Sequence, residues 1–152
     1  MRIYLVLSLL VINLLPSCNP TRSISSDDLV FEIEKTSCYG TCPVYTMTIY
    51  KDRTVVLNAQ QNLEWEGVYM SELSDGRYNE LINMFVKERF FEFQDRYTSN
   101  ITDLPTTYVT FRHQGKSKKI MDYHQAPEAL KALEEELHGL IAELTWKEKN
   151  KN

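Results

Sequence analysis

The stretch "TSCYGTCPVYTMTIYKDRTVVLNA", residues 36–59, decides the fold class of this chain. Residues 44–50 alternate between large apolar side chains and smaller, mostly threonine side chains, and this period of two indicates a strand with one buried face. Residues 51–53 form a short polar turn, and residues 54–59 are rich in the β-branched residues that favour a further strand. The stretch therefore predicts two strands joined by a tight turn.

The rest of the chain adds strands and helices in an order that argues against a parallel sheet. No strand–helix–strand alternation occurs, and the expected order is β-β-β-β-α-β-β-α. We therefore predict the α+β class, with a mainly antiparallel sheet and two helices packed on one face. The other expected elements are a strand at 29–35, a strand at 63–71, a helix capped by Ser74, a hairpin of strands 106–113 and 117–123, and a final helix from Pro127.

Both expected helices carry one apolar stripe, which predicts that each helix buries a single face. Three consecutive glutamates, residues 134–136, are expected on the solvated face of the final helix. The apolar stripes are Tyr78, Leu81, Ile82, Phe85 and Val86 in the first helix, and Leu130, Leu133, Leu137, Leu140, Ile141 and Leu144 in the second.

The charge of the chain and the motifs that it lacks argue against several classes of function. The 152 residues carry a formal net charge of −4, and lysine and arginine form no long run before the C-terminal tail. A nucleic-acid partner is not expected, because phosphate binding needs a basic face. The sequence also has no nucleophile elbow, no phosphate-binding glycine loop and no zinc-binding helix motif. We therefore expect no cofactor and no metal, and a non-catalytic protein rather than an enzyme.

The N-terminal segment predicts a lipid anchor. Residues 1–18 begin with a positive charge, continue through an apolar run too short to span a bilayer comfortably, and end in "LPSC". This ending resembles a bacterial lipobox, whose cysteine, here Cys18, receives the lipid. Pro16 departs from the usual pattern, and an ordinary cleaved secretory signal is the alternative. We expect attachment to the bacterial envelope, at the outer rather than the inner membrane, with the domain in the periplasm or at the cell surface.

The domain boundaries follow from this anchor. We predict a lipoprotein signal peptide at 1–18, a flexible tether at 19–28, a single α+β domain at 29–146 and a polar tail at 147–152. The polar, serine-rich tether of ten residues reaches at most about 35 Å, so the domain stays close to the membrane.

Cys38 and Cys42 allow three interpretations. A structural disulfide is favoured, because export places the cysteines in an oxidising compartment and Gly40 permits a tight turn between them. A redox-active pair is an alternative, although it normally lies at a helix N-terminus and here a strand pattern follows. A metal site would need further ligands, and the three histidines of the chain are not expected to converge.

Asp103 is the best single candidate for a ligand site. It precedes a turn stiffened by proline, and Thr106 and Thr107 lie close to it in the sequence. These three residues could bind a small polar ligand where the hairpin begins. The alternative is that Asp103 caps the turn through its own backbone.

Three stretches carry a resemblance to a known family. They are "CYGTCPVYTMTIY" at 38–50, "DLPTTYVTF" at 103–111 and "DYHQAPEAL" at 122–130. Together they resemble a bacterial domain of unknown function, family 6438, which is common in exported lipoproteins. The resemblance covers about residues 29–144, with departures at 51–53 and at His124-Gln125, where the family tends to have glycine. It implies no activity, because the family has none assigned.

The sequence thus predicts an uncharacterised, membrane-anchored bacterial lipoprotein. Its domain is expected to bind an envelope protein or a glycan without catalysis. The alternatives are a thiol-disulfide oxidoreductase that uses Cys38 and Cys42, and a small-ligand or hydrolase site near Asp103.

Overall fold

A computed structural model describes residues 25–149 of the chain. The predicted signal peptide with Cys18, most of the predicted tether and residues 150–152 of the predicted tail lie outside the described residues. Within residues 25–149, no helix is both long enough and apolar enough to cross a bilayer.

The described chain forms one eight-stranded sheet and two helices. The sheet order is β5-β7-β6-β1-β2-β3-β4-β8, and every neighbouring pair is antiparallel except β5–β7. The predicted α+β class with a mainly antiparallel sheet is confirmed. The elements are β1 (Leu29–Lys35), β2 (Val44–Tyr50), β3 (Thr54–Gln61), β4 (Gly67–Glu72), α1 (Asp75–Lys87), β5 (Arg96–Tyr97), β6 (Thr107–His113), β7 (Lys116–Asp122), α2 (Glu128–Glu143) and β8 (Lys147–Glu148), with short 3-10 helices at Ser26–Asp28 and Phe90–Glu92.

The order of elements differs from the prediction at both edges of the sheet. Two-residue strands, β5 and β8, pair with β7 and β4 and were not expected. A strand this short cannot show the alternation on which a sequence prediction depends. The predicted strand 63–71 is also shorter at its start, because β4 begins at Gly67, whose φ of +127° favours glycine, and residues 62–66 form a loop.

The turn between β6 and β7 fixes the register of that hairpin. Gln114 and Gly115 have φ of +49° and +76°, the left-handed pair of a two-residue turn whose twist matches that of the strands. His113 consequently pairs with Lys116, rather than with Ser117 as the sequence suggested. The turn therefore uses two residues, not three.

Both helices begin near the predicted positions. The Ser74 hydroxyl accepts a hydrogen bond from the Arg77 N–H at 3.2 Å, which satisfies one free donor of the first turn of α1. Pro127 has an extended backbone and is the residue before α2, so the helix itself starts at Glu128. Arg77 then joins the two helices, because its guanidinium forms ion pairs with Glu136 and Glu143 of α2.

The core lies on one face of the sheet, under both helices. Phe31 of β1 pairs with Ile49 and with Phe111, and all three side chains are buried on the same face. The Phe85 ring of α1 lies 4.9 Å from the Phe31 ring. Residues of α2 complete this face, with Leu130, Leu133, Leu137 and Leu140 almost fully buried.

The loops gather at two opposite ends of the sheet. We call one the disulfide end, formed by residues 36–43, 62–66, 98–106 and 123–127. We call the other the hairpin end, formed by residues 25–28, 51–53 and 114–115. The seven-residue strands between them separate the two ends by about 23 Å. The described chain enters at the hairpin end.

Candidate functional site

The loop between β1 and β2 is held on both sides at the disulfide end. The structure places the sulfurs of Cys38 and Cys42 at disulfide distance, with α-carbons 5.7 Å apart. The Tyr39 N–H donates to the Asp103 carbonyl at 3.4 Å, and the Asn62 side chain donates to the Cys42 carbonyl at 3.0 Å. The loop is thus connected to two other loops, and the Tyr39 side chain at its tip remains 93% exposed.

The predicted ligand residues near Asp103 lie in three different environments. The exposed Asp103 carboxylate accepts a hydrogen bond from the Thr102 hydroxyl at 3.0 Å, and its φ of +70° fits a turn. Thr106 is buried, and its N–H donates to the Thr36 hydroxyl at 2.9 Å. Thr107 begins β6, opposite Asp122. A ligand role for Asp103, Thr106 and Thr107 stays a prediction.

Two carboxylates are buried beneath α2, on the core face of the sheet. Asp122 at the end of β7 is 9% exposed, and Glu134 of α2 is 8% exposed. Within residues 25–149, Oδ1 of Asp122 and Oε1 of Glu134 have no hydrogen-bond partner. Such orphan acceptors are uncommon, because each costs about 1–3 kcal/mol of desolvation.

The surroundings of these carboxylates favour their protonated forms. Burial, reinforced by the charge of Asp122, raises the pKa of Glu134 to about 8, although Lys35 and Lys131 act in the opposite direction. Burial also raises the pKa of Asp122. This effect is larger than the lowering caused by Lys131 and by a backbone hydrogen bond from Ala126. Glu134 is therefore mostly uncharged at neutral pH.

A tyrosine and a histidine form a second polar pair, on the same side of α2. The Tyr45 hydroxyl lies 2.8 Å from Nδ1 of His138, and the two rings are stacked. Burial raises the pKa of Tyr45, with Glu135 and Glu134 adding to the effect, and burial, helped by Lys35, lowers the pKa of His138. Both side chains are neutral near pH 7. When the tyrosine O–H donates to Nδ1, the imidazole proton lies on Nε2.

His138 lines a groove that opens beside the disulfide loop. The groove has a volume of about 530 Å³ and lies between α2 and the β3–β4 loop. Trp65 forms part of its wall, and the Trp65 ring is held against Tyr69 and Trp146 at centroid distances of 4.7 and 6.2 Å. The other lining residues are Pro43, Asn62, Leu63, Glu64, Glu135, Gly139, Ile141 and Ala142.

The groove combines an aromatic and apolar wall with a few polar groups. His138 supplies an N–H donor, and Glu64 and Glu135 supply acceptors. This composition is typical of sites that bind small molecules. Within residues 25–149, no group of three or more histidine, cysteine, aspartate or glutamate side chains could hold a metal ion.

Most residues of this site were not predicted from the sequence. The final helix was expected to expose Glu134, and that expectation is wrong, because Glu134 follows Leu130 by four residues and therefore lies on the buried stripe. That spacing was the available signal. Trp65 was expected in a strand but belongs to a loop, and Tyr45 and His138 are 93 residues apart, so no local pattern could join them.

The described residues form a small α+β domain with a groove at its disulfide end. A family model described as a domain of unknown function, DUF6438, matches residues 29–141, and the chain belongs to this family. No curated protein matches the chain. All three stretches that carry the resemblance noted above reach the disulfide end.

Proposed function

We propose that the protein is a lipid-anchored bacterial envelope protein whose domain binds a glycan in the groove at the disulfide end. The single observation that carries the proposal is that Trp65 and His138 line one groove, with Nδ1 of His138 hydrogen-bonded to the Tyr45 hydroxyl. A sugar ring offers an apolar C–H face to an aromatic wall, and its hydroxyl groups accept from an imidazole N–H and donate to carboxylates. An envelope protein as partner remains the second candidate.

The position of the groove supports a binding role at the envelope. The chain enters the domain at the hairpin end, and the groove lies at the opposite end, about 23 Å away. If the lipid is on Cys18, six residues separate it from Ser25 at the hairpin end, and their reach of at most about 21 Å is shorter than the distance between the two ends. Mass spectrometry of the mature protein tests the anchor, with an acylated Cys18 as the expected result and an unmodified start beyond residue 18 as the contrary one.

Removing the Trp65 side chain should weaken glycan binding. We expect Trp65→Ala to reduce the affinity for soluble peptidoglycan fragments about tenfold or more, because aromatic side chains in the centre of a site contribute most of the binding energy. Isothermal titration calorimetry measures the change. Tyr39→Ala is the matched control, since it removes an aromatic ring from the same end of the domain but outside the groove lining. If Tyr39→Ala binds the fragments more weakly while Trp65→Ala binds them with unchanged affinity, the disulfide loop, and not the groove, is the binding site.

The disulfide is expected to stabilise the site rather than to exchange. Cys42 precedes β2, so neither cysteine lies at a helix N-terminus that would activate a thiolate. Replacing both cysteines by serine should lower the free energy of unfolding by about 2 kcal/mol, the amount the loop-entropy model gives for a five-residue loop. We expect a reduction potential below about −300 mV in a glutathione redox titration. A potential near −200 mV would instead support the alternative of a thiol-disulfide oxidoreductase.

A further inference from the structure

The hairpin end carries a second groove, with a different chemistry. Its volume is about 430 Å³, and nine residues line it, among them Asp27, Leu29, Lys51, Arg112, His113 and Lys116. Three of the nine, Lys51, Arg112 and Lys116, are cationic, in a protein whose formal net charge is −4. The cations come from the β2–β3 turn, β6 and β7, so the sheet itself brings them together.

Two of the three cations have no acidic partner. Within residues 25–149, neither Arg112 nor Lys116 forms an ion pair, and Nε of Arg112 is buried without a hydrogen-bond partner. The Arg112 guanidinium is held in place by donating to the Ser26 carbonyl at 2.9 Å. Lys51 is already engaged, because its ammonium lies 3.4 Å from the Asp28 carboxylate. A guanidinium fixed in this way, beside the exposed ammonium of Lys116, is an arrangement suited to a phosphate.

The course of the chain limits the distance between this groove and the predicted lipid on Cys18. The described residues begin at Ser25, next to this groove, and six residues separate Ser25 from Cys18. Six residues reach at most about 21 Å. A lipid on Cys18 would therefore keep the hairpin end within about 21 Å of the headgroups and favour it over the disulfide end as the end nearer to the membrane.

An apolar hollow continues the groove. His113, Gln114 and Lys116 also line a smaller cavity of about 220 Å³, together with Val86 and Phe91. Val86 is 49% exposed, and the Lys116 ammonium lies 5.7 Å from the centre of the Phe91 ring. Basic side chains beside exposed apolar ones are typical of surfaces that lie on a membrane.

We propose that the groove lined by Arg112 and Lys116 binds the phosphate of an anionic phospholipid in the membrane to which the chain is anchored. The proposal rests on the lipid anchor of the proposed function. Binding would fix the orientation of the domain, with the hairpin end on the headgroups and the glycan groove directed outward. Asp27, which also lines the groove, would lie at its rim and limit the site to one phosphate.

The test uses the full-length protein in lipid vesicles, with an environment-sensitive fluorophore on the Ser117→Cys variant. Ser117 is exposed and lines the groove. The new cysteine is then the single free thiol, if Cys18 is acylated and Cys38 is bonded to Cys42. A label on the Thr41→Cys variant, exposed at the disulfide end, serves as the positional control.

We expect a blue shift of the label at position 117 in vesicles that contain phosphatidylglycerol, and none in pure phosphatidylcholine. The label at position 41 should not respond. Arg112→Gln and Lys116→Gln should each weaken the response about fivefold, the usual effect of one basic residue near an anionic surface. Lys147→Gln, an exposed lysine at the far edge of the sheet, should leave it unchanged. Salt of about 1 M should abolish the shift, because it shortens the screening length to about 3 Å.

Other results would overturn the proposal. An equal shift in both kinds of vesicle, or one that survives both Arg112→Gln and Lys116→Gln, would exclude the groove as the lipid site. A response to inorganic phosphate but not to phosphatidylglycerol would assign the groove to a soluble phosphate compound. Mass spectrometry separates this proposal from the anchor: an unacylated Cys18 overturns the anchor alone. The groove is then tested by adding Cys18→Ser to the Ser117→Cys variant, which restores a single free thiol, and by adding vesicles that contain phosphatidylglycerol.

Discussion

Phe111→Ala is expected to lower the free energy of unfolding by about 3–5 kcal/mol, the largest destabilisation that we predict for a single substitution. Phe111 is fully buried at the centre of the aromatic core. Its ring lies 4.8 Å from the ring of Phe31, 5.0 Å from that of Phe85 and 5.3 Å from that of Phe91. Truncation would leave a cavity between the sheet and α1, and the neighbouring strands are too constrained to move into it.

Urea denaturation followed by circular dichroism measures this loss. Tyr39→Ala is the matched control, because it removes an aromatic ring that is 93% exposed and should change the free energy of unfolding by less than about 0.5 kcal/mol. If Phe111→Ala does not fold, Phe111→Leu keeps most of the volume and should cost about 1–1.5 kcal/mol. A loss below 1 kcal/mol for Phe111→Ala would contradict the packing described for the core.

Glu134→Gln is expected to stabilise the protein by roughly 2–4 kcal/mol at pH 7.5. The pKa of Glu134 is about 8 in the folded chain, against a value of 4.5 for an unperturbed glutamate. Between these two values the folded state binds a proton that the unfolded state has released, so stability falls as the pH rises. Below about pH 4.5 both states hold the proton, and the penalty disappears. Glutamine is uncharged throughout and removes this pH dependence.

The measurement is the free energy of unfolding of both forms between pH 4.5 and pH 8. The difference between Glu134→Gln and the unmodified protein should be small near the lower limit and grow toward the upper one. Some slope should persist in the variant, because burial also raises the pKa of Asp122. Glu128→Gln, at an exposed position in the first turn of the same helix, is the control and should leave the slope unchanged. A parallel offset at every pH would show that Glu134 does not titrate in this range.

The long elements of the fold could be predicted because each has a complete local pattern. In β2, seven residues show the alternation that matches one buried face, and Ser74 marks the start of α1 by capping it. The two edge strands have no such pattern. Their pairing depends on where the chain passes after α1 and α2, and two residues contain no information about that path.

The candidate site could be predicted only where its residues are close in the sequence. A disulfide between Cys38 and Cys42 was favoured because of the predicted export and the tight turn that Gly40 permits, and the structure places the two sulfurs at disulfide distance. The groove, in contrast, needs Trp65 from a loop and His138 from a helix, and the helix stripe hides Glu134 among apolar residues. Burial of a charged residue opposes the usual hydrophobic pattern, so a sequence argument assigns it to the surface.

The central position of β1 has a consequence for the order in which the sheet can form. β1 pairs with β2 across a short loop, but its other edge pairs with β6, where Ile33 meets Val109, 76 residues later in the chain (109 − 33). Contacts this distant in sequence form late, because closing a long loop costs entropy before any pairing is gained. During synthesis, which starts at the N-terminus, β1 therefore has one unpaired edge until β6 has been made. In that interval this edge can pair with another nascent chain.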